Sequence, residues 1–136
     1  MNNAGVVSAK PIVELSDQMV ERTLAVNTMA HFFTVKEFLP EMIANKRGHI
    51  VTVASMAAFG GIPQLADYAA SKSGAFMADE SLRHEMNKAG HSNYIKTTCC
   101  CPYFINTGMF EGAKDLKFFS MLEPEYVVSR IISGIQ

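Results

Sequence analysis

Residues 48–55 read Gly-His-Ile-Val-Thr-Val-Ala-Ser, and this stretch decides the fold. The run 49–54 contains no Lys, Arg, Asp or Glu and is rich in β-branched side chains. That pattern is typical of a strand buried on both faces of a parallel sheet. A second β-branched run, residues 95–101, is ended by Pro102, and residues 65–88 between the two runs have the length of a helix. Two strands joined through such a helix pair in parallel by a right-handed crossover, so the sequence predicts an α/β fold.

Helical segments also flank these strands on both sides. Ser16 is a favourable N-cap for a helix that extends to about Ala44. Pro40 is expected to kink or re-start that helix, because proline lacks the N–H and its ring clashes with the preceding turn. Pro124 stands at the natural first position of a last helix. Alternating strands and helices predict a doubly wound parallel sheet.

The composition limits the class of protein. The 136 residues suit one domain, and 49% apolar with 18% charged residues is a globular composition. The net charge is −1 and no Lys/Arg cluster is present, which argues against a nucleic-acid interface. The apolar runs are too short to span a bilayer. The four histidines are scattered without metal-ligand spacing, so no metal site is predicted.

Three cysteines stand side by side at positions 99–101. Adjacent cysteines do not easily bridge one another, and an odd number leaves at least one unpaired. No C-x-x-C or histidine spacing around them indicates a metal. We therefore predict free thiols in a buried strand and, with them, a reducing compartment.

Dinucleotide-binding folds begin with a strand, a glycine-rich turn and a helix. No G-x-G-x-x-G occurs in this sequence, whose first residues, 2–7, look like a strand end that runs into a loop. We therefore expect these 136 residues to be the middle and later part of a larger domain.

Tyr68 and Lys72 lie four residues apart at the start of the helix predicted over 65–88, so they share one face. Ser55 is at the carboxyl end of the preceding strand, where ligands bind in such sheets. A tyrosine with a pKa of about 10 acts as a base near pH 7 only after a drop of about three units, roughly 4 kcal/mol. An ammonium about 4 Å away supplies roughly that much. The trio predicts a proton-transfer site in which Lys72 lowers the pKa of Tyr68 and Ser55 binds the reacting oxygen. The motif Y-x-x-x-K alone is also common in ordinary helices, and the strand-end serine is what favours chemistry.

With Ser55, the run Tyr-Ala-Ala-Ser-Lys at 68–72 resembles the active-site signature of the short-chain dehydrogenase/reductase family. Asn-Asn-Ala-Gly at 2–5 is similar to that family's N-N-A-G motif, and Asn27 to its helix asparagine. Residues 102–107, Pro-Tyr-Phe-Ile-Asn-Thr, are similar to its P-G-x-x-x-T segment, with tyrosine in place of the glycine. A closer resemblance is to the retinol dehydrogenases and 17β-hydroxysteroid dehydrogenases, notably the epidermal and type-10 retinol dehydrogenase-like group.

The resemblance implies an NAD(P)-dependent oxidoreductase that interconverts an apolar alcohol (a retinoid, a steroid or a long-chain alcohol) and its carbonyl. Tyr68 would be the general acid/base, Lys72 would lower its pKa and hold the nicotinamide ribose, Ser55 would orient the substrate oxygen, and Asn27 would hold a water. The residues that would contact NAD or NADP are Asn3, Ala4, Gly5, Tyr68, Lys72, Pro102, Ile105 and Thr107.

The resemblance also implies a Rossmann-like doubly wound sheet whose first three strands are missing here. Residues 1–136 would then be the C-terminal catalytic portion of a single domain. It implies a homodimer formed through the long helices, membrane association only through a segment absent here, and the cytoplasmic face of the endoplasmic reticulum membrane or a lipid droplet for a full-length relative. Two alternatives stay open: a truncated, inactive chain that acts only by dimerising with a complete subunit, and epimerase or dehydratase chemistry on the same Tyr and Lys.

The stretch 109–122 is rich in Phe and Met. It is either core or a flexible lid over an apolar substrate. The lid is favoured because the stretch follows the predicted cofactor strand, contains Gly112 and lacks helical periodicity.

Overall fold

The computed structural model describes residues 1–109 and 121–135, so most of the predicted lid lies outside the described residues. Helices and strands alternate along these residues, as predicted. Their bounds are α1 Asp17–Leu24, α2 Ala30–Ala44, β1 Gly48–Val53, α3 Ala66–Lys88, β2 Ile95–Cys100 and α4 Pro124–Ile135. A π-helical turn, Ala25–Met29, joins α1 to α2, and 3₁₀ turns occupy Ile12–Glu14 and Met56–Ala58.

Strands β1 and β2 pair in parallel, in a register that runs from Gly48 opposite Ile95 to Val53 opposite Cys100. Asn2 forms an isolated parallel bridge to Thr52 on the other edge of β1. Its N–H donates to the carbonyl of Val51 at 2.7 Å, and its own carbonyl accepts from the N–H of Val53 at 2.9 Å. The parallel α/β arrangement is therefore confirmed, and Asn2 lies at a strand end as predicted.

Helices cover both faces of this sheet. On one face, Thr52 Oγ1 donates to the Asp79 carboxylate of α3 at 2.6 Å. On the opposite face, Thr98 Oγ1 donates to the carbonyl of Gly134 in α4 at 3.0 Å. The apolar core on the α2 and α3 side consists of Ile50, Leu82, Met86 and Ile95, with Val35, Leu39, Met42, Ile43 and Tyr94 packed against it. The sheet is thus doubly wound, as the alternation of strands and helices predicted.

The long first helix begins as predicted and is interrupted elsewhere than predicted. Ser16 caps it, because its Oγ accepts the N–H of Met19 at 3.3 Å. Pro40 does not re-start the helix, since α2 continues through Pro40 to Ala44 and the irregular turn lies upstream at Ala25–Met29. A kink at Pro40, the other form of that expectation, stays a prediction. The carbonyl that Pro40 leaves without an N–H partner is that of Lys36, an exposed residue.

The three cysteines are free, but they are partly exposed and not buried as predicted. Among residues 1–109 and 121–135, no helix combines the length and the apolar character that crossing a membrane requires.

Gly48 begins β1 at a point where the chain passes very close to α2. A Cβ at Gly48 would lie 2.7–2.8 Å from the Cβ, Cγ and Sδ atoms of Met42. We expect Gly48→Ala to lower the free energy of unfolding by about 1–3 kcal/mol. One of the crowded atoms is the Met42 Cβ, which is attached to the backbone of α2 and cannot move aside as the end of a side chain can. Denaturant titration gives this value. Gly60→Ala is the matched control, since nothing lies within 4 Å of a Cβ there. Equal stability of the two variants would contradict the expectation.

Candidate active site

Ser55 and Tyr68 meet at the carboxyl end of β1. Ser55 has extended backbone (φ −170°) and caps the turn Met56–Ala58, with its Oγ accepting the N–H of Ala57 at 3.1 Å. Tyr68 is buried in the first turn of α3. A side-chain hydrogen bond joins Ser55 to the phenol of Tyr68. The strand end and the helix start therefore bring together the two hydroxyl groups that the sequence predicted to cooperate.

Lys72 lies one turn further along α3 and is 3% exposed. Its Nζ donates to the carbonyl of Val53, the last residue of β1, at 2.7 Å. The same Nζ lies 5.9 Å from the centroid of the Tyr68 ring. Burial lowers the pKa of Lys72, and nearby Cys99 and Cys101 oppose that shift. Lys72 thus ties the start of α3 to the end of the strand.

The phenol of Tyr68 sits in an apolar cluster with Ala57 and Leu65. Burial raises the pKa of Tyr68 above its ordinary value, and the hydrogen bond from Ser55 opposes this. The expectation that Lys72 lowers this pKa stays a prediction; in this structure the ammonium donates to the Val53 carbonyl, and desolvation is the larger cause acting on the pKa of the phenol. The phenol is therefore protonated at neutral pH, as a proton donor must be.

Asn27 is fully buried in the π-helical turn. Its Oδ1 accepts the N–H of Val6 at 2.8 Å. Its Nδ2 donates to the Val6 carbonyl and to Ser71 Oγ, both at 2.9 Å. Ser71 Oγ in turn donates to the carbonyl of Tyr68 at 2.7 Å. Asn27 therefore holds the chain near residue 6 against α3. The water predicted at Asn27 stays a prediction.

Gly5 is the member of the 2–5 motif that the structure brings to the site. A Cβ at Gly5 would lie 3.6 Å from Lys72 Nζ and 3.7 Å from Asn27 Oδ1. Asn3 and Ala4 precede it on the exposed surface. An ammonium beside a residue without a side chain suits the hydroxyl groups of a ribose. These residues therefore fit the nicotinamide ribose expected there.

The predicted cofactor residues after β2 are only partly brought into the site. Pro102 is close, because its carbonyl accepts the N–H of Met56 at 3.0 Å. Ile105 bridges to Leu122, and the N–H of Thr107 donates to the Ile105 carbonyl at 2.8 Å. Thr107 is exposed. Within residues 1–109 and 121–135, the contacts join Gly5, Asn27, Ser55, Tyr68 and Lys72, while Ile105 and Thr107 lie on the chain beyond them.

Sequence reasoning missed a set of buried polar residues around this site. Asp67 Oδ2 accepts from Thr23 Oγ1 at 2.8 Å, and both residues are buried. Thr28 Oγ1 donates to the carbonyl of Ser71 at 2.7 Å. The one signal in the sequence is that Thr23 and Asn27 are four residues apart, and that Asp67 and Ser71 are as well. Such spacing puts two polar groups on one helix face in each case.

His31 in α2 is 5% exposed, and neither ring nitrogen has a hydrogen-bond partner among the described residues. Burial lowers the pKa of His31, and the positive charge of Lys72 adds to the shift. The sequence indicated no metal or catalytic role for this histidine. Burial and the neighbouring Lys72 both favour the neutral imidazole.

A cavity of about 940 Å³ lies between α2 and α3, and its lining includes His31, Phe32, Ala78 and Asp79. Its lining does not include Ser55, Tyr68 or Lys72. This cavity is therefore separate from the candidate active site.

Comparison with known proteins places these residues in a family. The profile of the short chain dehydrogenase family matches residues 1–116. The chain is 47% identical over 139 aligned positions to retinol dehydrogenase 10-B of Danio rerio, covering 99% of this chain and 41% of that protein. It is 45% identical to retinol dehydrogenase 10 of Homo sapiens, covering 99% and 40%. The chain thus spans about 40% of the length of these curated relatives.

Solved structures show the same fold. A 4-hydroxyisoleucine dehydrogenase complexed with NADH and succinate superposes with a TM-score of 0.80 at 26% identity, over 99% of this chain and 58% of that one. A gluconate 5-dehydrogenase from Burkholderia cenocepacia J2315, in complex with NADP and tartrate, gives a TM-score of 0.84 over 96% and 54%. At 20% identity, the second likeness concerns the fold alone.

The neutral state of His31 predicts how stability depends on pH. Its folded pKa lies below the ordinary value of 6.5, so the unfolded chain takes up a proton first as the pH falls. Above about pH 6.5 the histidine is neutral in both states and does not reduce the free energy of unfolding. Below that pH the unfolding free energy falls by up to about 1.4 kcal/mol per pH unit, because the unfolded chain binds the proton and the folded chain does not. We expect His31→Asn to flatten the fall in unfolding free energy between about pH 7.5 and 5.5, as measured by denaturant titration.

His84 on α3 is exposed and provides the matched control. His84→Asn should keep the pH dependence of the unsubstituted chain. If His31→Asn and His84→Asn lose stability equally on acidification, His31 is not the group responsible.

Proposed function

The chain belongs to the short-chain dehydrogenase family, and on that premise we propose that it is an NAD(P)-dependent oxidoreductase that interconverts an apolar alcohol and its carbonyl. Tyr68 is the group that transfers the proton. The observation that carries the proposal is the hydrogen bond between Ser55 and Tyr68 beside buried Lys72, at the carboxyl end of a parallel strand. That edge is where parallel α/β sheets bind ligands.

The proposed substrate is a retinoid, or a steroid or long-chain alcohol of similar polarity. Two curated relatives that are 45–47% identical are named retinol dehydrogenases. The side chains around Tyr68 are also apolar: Val7, Ile62, Ala69 and Phe104 pack against its cluster. Such an environment favours a substrate with few polar groups beyond the reacting oxygen.

NAD or NADP, when bound, accepts or supplies the hydride. The residue proposed to hold its nicotinamide ribose is Lys72, whose Nζ would lie 3.6 Å from a Cβ at Gly5. Asn3, Ala4, Pro102, Ile105 and Thr107 are the further cofactor contacts that the family resemblance implies. The solved relatives with NADH and with NADP support a nicotinamide cofactor without deciding between the two.

The protonation state of Tyr68 determines which proton transfer it can make: the phenol donates a proton and the phenolate accepts one. In carbonyl reduction, the neutral phenol donates its proton to the substrate oxygen while Ser55 holds that oxygen by a hydrogen bond. In alcohol oxidation, the phenolate has to form first; burial opposes this, and the hydrogen bond from Ser55 favours it. Lys72 positions both groups by joining α3 to β1.

The alternative is a chain without catalysis that acts by pairing with a complete subunit. A specific observation supports pairing with a second copy: the cavity between α2 and α3 is open, and Phe32, Phe33 and Met77 are exposed beside or within it. Apolar side chains around a groove are typical of an interface. We propose that a second copy packs its α2 and α3 there.

The free thiols support a reducing compartment, and the cytoplasmic face of the endoplasmic reticulum membrane or a lipid droplet is the proposed site.

Tyr68→Phe keeps the ring and removes the hydroxyl, so the fold should survive and turnover should fall. We expect a loss of about 10²- to 10⁴-fold or more, the usual contribution of general acid–base catalysis. The assay follows retinol oxidation and retinal reduction with NAD(H) and NADP(H). It is run on the chain itself and on a chimera in which the chain replaces the aligned segment of retinol dehydrogenase 10 of Homo sapiens.

Tyr126→Phe is the matched control, because Tyr126 is exposed on α4. Near-normal turnover in the Tyr68→Phe chimera would refute the proposed role. An active chimera with an inactive isolated chain would instead favour the alternative, in which the chain contributes only to pairing.

Pairing through α2 and α3 predicts the effect of a charge in the groove. Phe32 lines the cavity and is 51% exposed, while Ile132 on α4 is 50% exposed and outside it. We expect Phe32→Glu to weaken self-association by about tenfold or more, because burying an unpaired carboxylate is costly. Ile132→Glu should leave it unchanged. Sedimentation velocity over a range of concentrations measures both, and equal behaviour of the two variants would exclude this face.

A further inference from the structure

Two of the three cysteines form a close pair at the end of β2. The Sγ atoms of Cys99 and Cys101 are 3.9 Å apart, on one face of the extended chain. Side chains alternate along a strand, so Cys100 between them points to the other face. Both residues of the pair are partly exposed.

The pair adjoins the candidate active site. The backbone of Ser55 and the positive charge of Lys72 both act on the Cys101 thiol. The pKa of Cys101 is lowered by the hydrogen bond with Cys99, by the backbone of Ser55 and by Lys72, while burial and the Asp79 carboxylate oppose the shift. The pKa of Cys99 is raised, chiefly by its hydrogen bond to Cys101. These opposite shifts favour Cys101 over Cys99 as the thiol that reacts.

We propose that Cys99 and Cys101 are a thiol–disulfide pair that hydroperoxides oxidise, with Cys101 as the reacting thiol and Cys99 as the resolving one. The catalytic chemistry proposed above uses neither residue, so this site adds a modification to the enzyme and does not depend on turnover.

The reaction has two steps. The Cys101 thiolate attacks one peroxide oxygen, the O–O bond breaks, and the sulfur is oxidised to sulfenic acid while the other oxygen leaves as water or alcohol. The Cys99 sulfur then attacks the sulfenic sulfur, an S–S bond forms, and the hydroxyl leaves with the proton of Cys99 as water. Two thiols and one hydrogen peroxide give one disulfide and two waters.

The strand geometry permits the bond and makes it easy to reduce. Alternate residues of a strand have Cα atoms about 6.6 Å apart, near the upper limit that a disulfide spans. A disulfide at that limit is strained, and strained disulfides are the reducible ones.

Three single variants test the proposal, because each retains two thiols: Cys100→Ser keeps the proposed pair, while Cys99→Ser and Cys101→Ser each keep a pair of neighbours. The folded full chain is treated with hydrogen peroxide, denatured, alkylated and weighed by mass spectrometry. We expect Cys100→Ser to lose both alkylatable thiols and the mass of two hydrogens, reversibly with dithiothreitol. The disulfide should form in it about tenfold or more faster than in the other two variants.

The unfolded Cys100→Ser chain in denaturant is the control for fold dependence, and it should lose this advantage. The proposal is overturned if Cys100→Ser keeps both thiols, if Cys99→Ser or Cys101→Ser forms an internal disulfide equally fast, or if the disulfide links two chains. Thermal unfolding of each variant identifies any that has lost its fold, and only folded variants enter the comparison. None of these readouts requires catalytic activity, so failure of the proposed oxidoreductase function would leave this test intact.

Discussion

The bond from the buried Lys72 ammonium to the carbonyl of Val53 fixes how α3 sits on β1. Two residues of a strand advance by about 6.6 Å and four residues of a helix by about 6 Å. Because α3 runs back along the sheet from the end of β1, anchoring Lys72 at Val53 places Tyr68 opposite Ser55. Ser55 is two residues after Val53 and Tyr68 is four residues before Lys72. Because these two intervals have nearly the same length, Ser55 and Tyr68 meet once Lys72 is anchored at Val53.

The same ammonium also sets the charge state of its surroundings. Its charge adds to the lowering of the His31 pKa, of which burial is the main cause. It also adds to the lowering of the Cys101 pKa, of which the hydrogen bond with Cys99 is the main cause. The pKa of Lys72 itself is lowered by burial. One side chain therefore holds the strand end and contributes to the charge state of a histidine and a cysteine.

The sequence was sufficient to predict the elements and the members of the site whose positions depend on local spacing. Strands β1 and β2, helix α3, and the meeting of Ser55, Tyr68 and Lys72 follow from β-branched runs and from a four-residue interval on one helix. The direction of the Tyr68 pKa shift could not be predicted from the sequence. It depends on burial, to which residues from other parts of the chain such as Ile62 and Phe104 contribute by packing against the cluster. The hydrogen bonds of Asn27 to Val6 and Ser71 join residues 21 and 44 positions apart, and no local pattern reveals them.

The π-helical turn at Ala25–Met29 has a structural reason that also explains why periodicity misplaced the break. Thr23, Asn27 and His31 follow one another at intervals of four, and all three are buried. In a regular α-helix such a row drifts around the axis by about 40° per step, so its ends would face different directions. A π turn contains more residues per turn and reduces that drift. It lets Thr23 bond Asp67, Asn27 bond Ser71 and His31 lie near Lys72, all toward α3. A break at Pro40 would come after this row and could not align it, so the irregularity lies where the polar contacts require it.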